Sequence, residues 1–233
     1  MANAAELRAE VIAILSSEWK RRKGATIPTT ESVKLDNDGV ELDATVLYAD
    51  LVDSTDLVNG YKDWFAAEVY KSYLRLACRI IRDNGGDITS FDGDRVMAVY
   101  IGESKNSQAA KTALKLNWAV KNILNTEIQK RYTSTTYKVQ HVVGIDTSKL
   151  FVARTGIRGT NDLVWVGRAA NYAAKLCGLR DGSYASIITE DVYNRLEESA
   201  KNGGSPRQAM WQKATWQERA MTIYQSSWWW SIG

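Results

Sequence analysis

Histidine is almost missing from this 233-residue chain, which has His141 and no other. A single imidazole weighs against a histidine-rich zinc site and against a Ser/His/Asp hydrolase chosen from several candidate bases. His141 stands among Val139, Val142 and Val143 and reads as a strand residue. Cysteine is scarce too: Cys78 and Cys177 lie far apart in segments of helical pattern. They form no CxxC pair and lack the repeated spacing of a secreted disulfide framework. No apolar run approaches the ~20 residues that span a bilayer, and the N-terminus lacks the apolar region and cleavage site of a signal peptide. The expectation is a cytoplasmic protein without membrane association. No GxxxxGK[ST] loop is present, which excludes a P-loop NTPase. The formal charge is only +3, with no dense Lys/Arg stripe, so no nucleic-acid partner is expected. Internal repeats are absent, and the one low-complexity stretch is Trp228-Trp229-Trp230.

What is present is globular: 45% hydrophobic and 24% charged residues, enough for one sizeable core with appendages. Residues 5–20 repeat apolar residues at helical spacing and run into Lys20-Arg21-Arg22-Lys23, which reads as a helical arm with a solvated end. A polar linker follows to residue 40. Ala44–Ala49 is a buried strand ending at Asp50, and Asp53-Ser54-Thr55-Asp56 offer N-capping chemistry for one long helix to about Asn84. Gly85-Gly86 ends that helix. Ile88–Phe91 and Val96–Ile101 form a hairpin around Asp92-Gly93-Asp94. A second long helix covers residues 107–131. Two strands are predicted to pair around residues 146–149, and another ends near Val166. Gly167 opens a helix from Arg168 to Leu179, followed by a strand at residues 185–188, a helix at 189–199 and a terminal hairpin. The predicted class is α+β, on the ferredoxin-like β-α-β-β-α-β plan with a mostly antiparallel sheet and a C-terminal hairpin extension. The boundaries are an arm and linker at 1–40, a domain at 41–227, and a Trp-rich tail at 228–233. The tail either caps a core or a dimer seam, or docks a partner or a membrane surface.

Two acids occupy special places, Asp50 at the end of a buried strand and Asp94 at a hairpin tip. Carboxylates converging there repel each other unless a cation lies between them, and hard ions such as Mg²⁺ or Mn²⁺ suit oxygen ligands and substrate phosphates.

The segment Tyr48-Ala49-Asp50-Leu51-Val52-Asp53-Ser54-Thr55 resembles the first metal motif of the class III nucleotide cyclases. Phe91-Asp92-Gly93-Asp94-Arg95-Val96-Met97-Ala98-Val99 is similar to their second. Val166-Gly167-Arg168-Ala169-Ala170-Asn171-Tyr172-Ala173-Ala174-Lys175-Leu176 resembles the helix that carries an asparagine and, four residues on, an arginine. The resemblance covers residues 42–190. It implies a palm-like fold and two divalent ions, about 3.5–4 Å apart, held by Asp50, Asp94 and the Leu51 carbonyl. It also implies amides of residues 51–55, with Val52, Asp53, Ser54 and Thr55, around the terminal phosphates. Asn171 would orient the ribose and Lys175 would neutralise charge at the α-phosphate. Lysine replaces the family's arginine there and lacks its bidentate fork, so Arg95 and Arg168 are alternative cations. A homodimer with two composite sites is implied.

In this family the base is read four residues before the second aspartate, here Ser90, and three before the helix-opening glycine, here Val164. Neither is a purine reader. Tyr48 and Arg95 offer bulk and polar reach for a smaller base, and the whole resembles the pyrimidine cyclases of bacterial Pycsar anti-phage systems. That implies UTP as substrate, cyclic UMP as a messenger for a downstream effector, and antiviral defence as the setting. CTP, then ATP, then a non-catalytic nucleotide-binding homologue are the alternatives. Gly85-Gly86-Asp87 is rejected as a GGDEF-type signature because Ile88 follows where a second acid belongs.

Overall fold

The computed structural model describes residues 3–179 and 184–232. Asn3 opens α1 (Ala4–Ser16) with a capping box: its side chain accepts from the Ala5 and Glu6 N–H groups, and Glu6 accepts from the Asn3 N–H. Lys20–Lys23 is β1, a strand and not a solvated helix end. It pairs in parallel with the start of β2 (Asp38–Leu51), and Asp36, Asp38 and Glu41 neutralise Lys20, Arg22 and Arg21. That partner is why β2 begins six residues before the predicted Ala44.

α2 (Ser54–Gly60) and α3 (Asp63–Asp83) replace the single predicted helix, because Tyr61 between them is extended. β3 (Asp87–Asp92) and β4 (Arg95–Tyr100) form the expected hairpin, with Gly93 at φ 63° in its turn. α4 (Lys105–Ala119) continues through a π-helical turn at Val120–Leu124 into α5 (Asn125–Arg131), so this second long helix is as expected.

β5 (His141–Ile157) is one unbroken strand where two paired strands were predicted. The polar stretch at its middle does not turn, because Thr147 donates its hydroxyl hydrogen to the Ala44 carbonyl (3.2 Å) and Asp146 is fully buried among donors. β6 (Thr160–Val166) follows, then α6 (Arg168–Cys177) and β7 (Ser186–Thr189). The predicted last helix is two short ones, α7 (Glu190–Asn194) and α8 (Glu198–Lys201). A small ribbon of β8 (Asn202–Gly203) and β9 (Gln208–Ala209) precedes the terminal hairpin of β10 (Gln212–Trp216) and β11 (Met221–Ser226).

The chain divides into two compact units. The first comprises Met1–Asp43 and Lys149–Gly167. In it β1 lies parallel to the start of β2, and β6 runs antiparallel to the second half of β5. The second comprises Ala44–Ser148 and Arg168–Gly233, with strand order β10-β11-β7-β5-β2-β4-β3. β5–β7 is parallel, whereas β2–β4, β3–β4, β7–β11 and β10–β11 are antiparallel. The α+β, mostly antiparallel expectation therefore holds.

Alternation along β2 sorts the second unit's residues onto two faces. Leu47, Ala49 and Leu51, with Val96, Ala98 and Tyr100 of β4, join the main core formed with α3 and α4. On the other face α6 packs against β5 at Gly144, where a Cβ would stand 2.2 Å from the Ala173 carbonyl oxygen. The tail is tied to α4: Asn117 donates to the Ser227 and Trp228 carbonyls, and Trp230 N–H to Leu114. Trp228 and Trp230 pack against the core while Trp229 stays exposed, so the tail caps a core. Among the described residues no helix is long and apolar enough to cross a membrane.

Candidate active site

Strand register builds the site. Tyr48 of β2 pairs with Met97 of β4, and Met97 with Ser90 of β3. Residues paired across a ladder share a face, so these three form a row on the face opposite α3 and α4. Asp50 lies two residues beyond Tyr48 on the same face, and Arg95, paired with Asp92, two before Met97.

The end of β2 and the β3–β4 turn open on one cavity of about 510 Å³. Asp50, Leu51, Asp53, Ser54, Thr55 and Asp56 line one side, and Asp92, Gly93, Asp94 and Arg95 the other. The structure thus brings Asp50 and Asp94 to one cavity. Five carboxylates face one cation, and that cation is taken: Arg95 donates to Asp92 at 2.8 Å. Asp94 Oδ2 is buried and accepts no hydrogen bond. A carboxylate oxygen withdrawn from water without a donor is costly, and a bound cation relieves that cost. Among the described residues no three His, Cys, Asp or Glu side chains converge as a complete metal cage. Two carboxylates and a backbone carbonyl instead fit an ion that takes its remaining ligands from phosphates and water, as Mg²⁺ does.

The turn after β2 is shaped by Asp53, which sits in the left-handed region at φ 55°. Its side chain makes no capping bond, contrary to the N-capping role expected of it; the turn geometry directs it elsewhere. Val52 N–H donates to the Gln140 carbonyl at 2.9 Å, so this amide is committed to the fold. The first-turn amides of α2 have no intrahelical acceptor, and Asp53, Ser54 and Thr55 all line the cavity.

Tyr48 is half-buried against a cluster that includes the α6 residues Leu176 and Cys177, and burial pushes its phenol pKa up. The Arg95 guanidinium lies 5.6 Å from the centre of the Tyr48 ring. Its bond to Asp92 drives its pKa up further, against the effect of burial, with Cys177 and Asp50 adding to the rise. Ser90 is half-buried at the end of the row.

Asn171 and Lys175 share one exposed face of α6 and do not line this cavity. Val164 belongs to the other unit, exposed on β6. Arg168 is not an available catalytic cation. It is bound to buried Asp146 (Nε to Oδ2, 3.0 Å), to Asp191 and to the Thr147 carbonyl (2.8 Å). Thr189 donates to Asp146 as well, at 2.6 Å. Sequence reasoning missed this network, whose one signal was an acid, Asp146, directly after the apolar run Val142–Ile145. It also missed Met97, 2% exposed, as the middle of the Tyr48–Ser90 row.

No protein-family model matches the chain. A uridylate cyclase of Xanthomonas perforans is 50% identical over 221 residues, covering 94% of both chains. A uridylate cyclase of Burkholderia cepacia is 47% identical over the full length of both, and one of Rhodovulum sp. is 36% identical over 96% of this chain and 95% of its own. Among solved structures, the guanylyl cyclase Cya2 superposes with a TM-score of 0.68 at 16% identity, covering 84% of this chain and 95% of that one. The adenylyl cyclase CyaB from P. aeruginosa gives 0.65 at 21% identity, covering 81% and 95%. These two show the fold.

Proposed function

The chain belongs to the uridylate cyclase family, with the fold of class III nucleotide cyclases, and from that premise we propose that it converts UTP into 3′,5′-cyclic UMP and pyrophosphate. The observation that carries the site assignment is the buried, unpartnered Asp94 Oδ2 in the cavity that Asp50 also lines. In the reaction the ribose 3′-oxygen forms a bond to the α-phosphorus, the α–β bridging bond breaks, and the hydroxyl proton leaves to solvent. No protein nucleophile is required, which suits a site whose only nearby thiol, Cys177, is buried.

Asp50, Asp94 and the Leu51 carbonyl would hold two divalent ions, Mg²⁺ or Mn²⁺, whose chemistry is to acidify the 3′-hydroxyl and to offset charge on the leaving pyrophosphate. The amides of Asp53, Ser54 and Thr55 bind the terminal phosphates, and Val52 holds that turn to the sheet through Gln140. Tyr48, Met97 and Ser90 wall a short base pocket, and Arg95, with only its Nη2 held by Asp92, offers its remaining N–H groups to a pyrimidine carbonyl. Asn171 and Lys175 act on the ribose and the α-phosphate of a second copy's site, which accounts for their exposure on α6, and Val164 contributes with them. The active form is then a homodimer of the domain at 41–227, with the arm at 1–40 ahead of it and the tail at 228–233 capping its core. The resemblance to Pycsar cyclases supports a cytoplasmic role in anti-phage signalling through an effector of the product.

The test is incubation of the full chain with each of the four ribonucleoside triphosphates and Mn²⁺, followed by separation of products. Cyclic UMP as the main product, lost in Asp50→Ala, is expected. Cyclic CMP or cyclic AMP in its place would overturn the base assignment and leave the cyclase intact. No cyclic product from any triphosphate would overturn the enzyme.

A further inference from the structure

Helix α1 is closed at both ends, yet it buries none of its side chains. The capping box at Asn3 starts it, and the Ser16 and Ser17 hydroxyls return to the Ile12 and Ala13 carbonyls. Buried Asn37 then holds the last turn from outside, donating to the Ile14 and Ser17 carbonyls at 2.8 and 2.7 Å. An isolated helix of 13 residues is marginal in water, and helices in proteins are stabilised mainly by packing one face. Here the face is present and uncovered. Leu7, Val11, Ile14 and Leu15 lie within one arc of the helix and are 51, 54, 61 and 81% exposed.

The stripe has a particular spacing. Ala4, Leu7, Val11 and Ile14 recur at steps of three, four and three, the seam of a two-stranded coiled coil. Such a seam is self-complementary about a two-fold axis, so a second copy of the chain fits it.

A lipid surface fits less well. Membrane-surface helices carry a basic polar face, whereas α1 carries Glu6 and Glu10 against Arg8. Three of the four residues of the basic cluster that follows are paired internally: Lys20 with Asp36 (3.2 Å), Arg21 with Glu41 (2.8 Å), and Arg22 with Asp38. Arg21 also lies over the Phe151 ring, 5.0 Å from its centre.

We infer that α1 is a self-association clasp, pairing in parallel with α1 of a second copy along Leu7, Val11 and Ile14. Parallel pairing keeps Glu10 beside the seam on opposite sides of the pair, whereas an antiparallel arrangement would set it against the partner's Glu10. The inference rests on the two-fold reading of the site above and adds to it a device outside the catalytic unit. By linking two copies, the clasp raises the effective concentration at which the composite sites form.

The experiment is sedimentation velocity of the full chain against the Val11→Asp/Ile14→Asp double variant, with Ala9→Asp on the opposite side of α1 as control. Because α1 buries nothing, far-UV circular dichroism should show all three folded. The double variant is expected to raise the dimer dissociation constant at least tenfold and to make cyclase activity per mole fall on dilution, while Ala9→Asp behaves as the parent. Val11→Cys should cross-link two chains on oxidation, beyond any background from Cys78 and Cys177 in the parent. Unchanged self-association in the double variant, or equal weakening in Ala9→Asp, would overturn the clasp. Flotation of the parent with anionic phosphatidylglycerol vesicles, lost in the double variant at unchanged self-association, would also overturn it in favour of a lipid surface. Self-association is read without substrate, so a clasp that fails leaves the uridylate cyclase assignment standing, and the converse.

Discussion

Two groups of acids stand on the same sheet, and they are treated in opposite ways. Around Asp146 every oxygen is answered: Arg168 and Thr189 donate to it, and Asp191 shares the same guanidinium. Around Asp94 the acids outnumber the donors, and one buried oxygen has no partner. Both arrangements place a carboxylate in a poorly hydrated setting. The first supplies countercharge from the chain and is complete when folded. The second leaves the countercharge to come from outside, which suits the proposed role of holding cations and phosphates. An acid's partners, and not its burial, separate structure from function here.

The largest effect expected from breaking this contrast is on the open group. Asp50→Asn or Asp94→Asn should lower cyclase activity by on the order of 10³-fold or more, since each removes a ligand charge from the proposed metal pair. Unfolding of Asp94→Asn in urea should show stability unchanged or slightly raised, because a neutral amide relieves the uncompensated Asp94 oxygen. A marked loss of stability would mean that the open group is structural after all.

The closed group should answer in reverse. Asp146→Ala leaves Arg168 partly unpaired and is expected to cost about 3–5 kcal/mol of stability in the same urea titration. Residual folded protein should retain its KM for UTP. An Asp146→Ala chain of normal stability with lost activity would move Arg168 back among the catalytic cations.

Lys175 tests whether the open group is completed by a second chain. Lys175→Ala should lower kcat roughly 10²-fold, and Lys175→Arg should keep or raise it, because the fork adds a second donor to the α-phosphate. Mixing inactive Asp50→Ala with inactive Asn171→Ala should restore part of the activity through one intact site per dimer. No recovery on mixing would confine each site to one chain.

The smallest effect concerns His141, which is buried without charge against Tyr73 of α3. Burial, aided by Lys121, pushes its pKa down to about 3, and its Nδ1 lies 3.4 Å from the Tyr73 hydroxyl. The unfolded chain takes up that proton near pH 6.5, whereas the folded chain does not. The stability conferred is therefore complete above about pH 6.5 and declines as pH falls towards 3. Between pH 6.5 and 5 the loss should be about 2 kcal/mol in chemical denaturation, and His141→Asn should flatten that slope. An unchanged slope in the variant would show that His141 is not the group titrating.

Much of this was legible beforehand, for local reasons. The β2–α2 turn, the β3–β4 hairpin and the Asn171–Lys175 helix are each contiguous segments whose residue order dictates a turn, a hairpin tip or a helical face. The errors fell where contacts distant in sequence decide. Lys20–Lys23 became a strand because Asp36, Asp38 and Glu41 lie across from it, which no local charge pattern announces. β5 ran unbroken through Asp146-Thr147-Ser148 because Arg168, Thr189 and Ala44 satisfy that polar stretch from elsewhere in the chain.

The sequence by itself determined the chemistry on offer: which carboxylates end a strand and tip a hairpin, which lysine stands where an arginine is usual, and that no purine reader is present at Ser90 or Val164. The first follows from residue identity and short-range spacing, and the other two from the resemblance to class III cyclases that those motifs carry. Only the tertiary structure decided which of the acids are available. Asp94 and Asp146 look alike as letters, and the difference between them is the set of donors that folding brings within about 3 Å, a distance over which a hydrogen bond exists or does not.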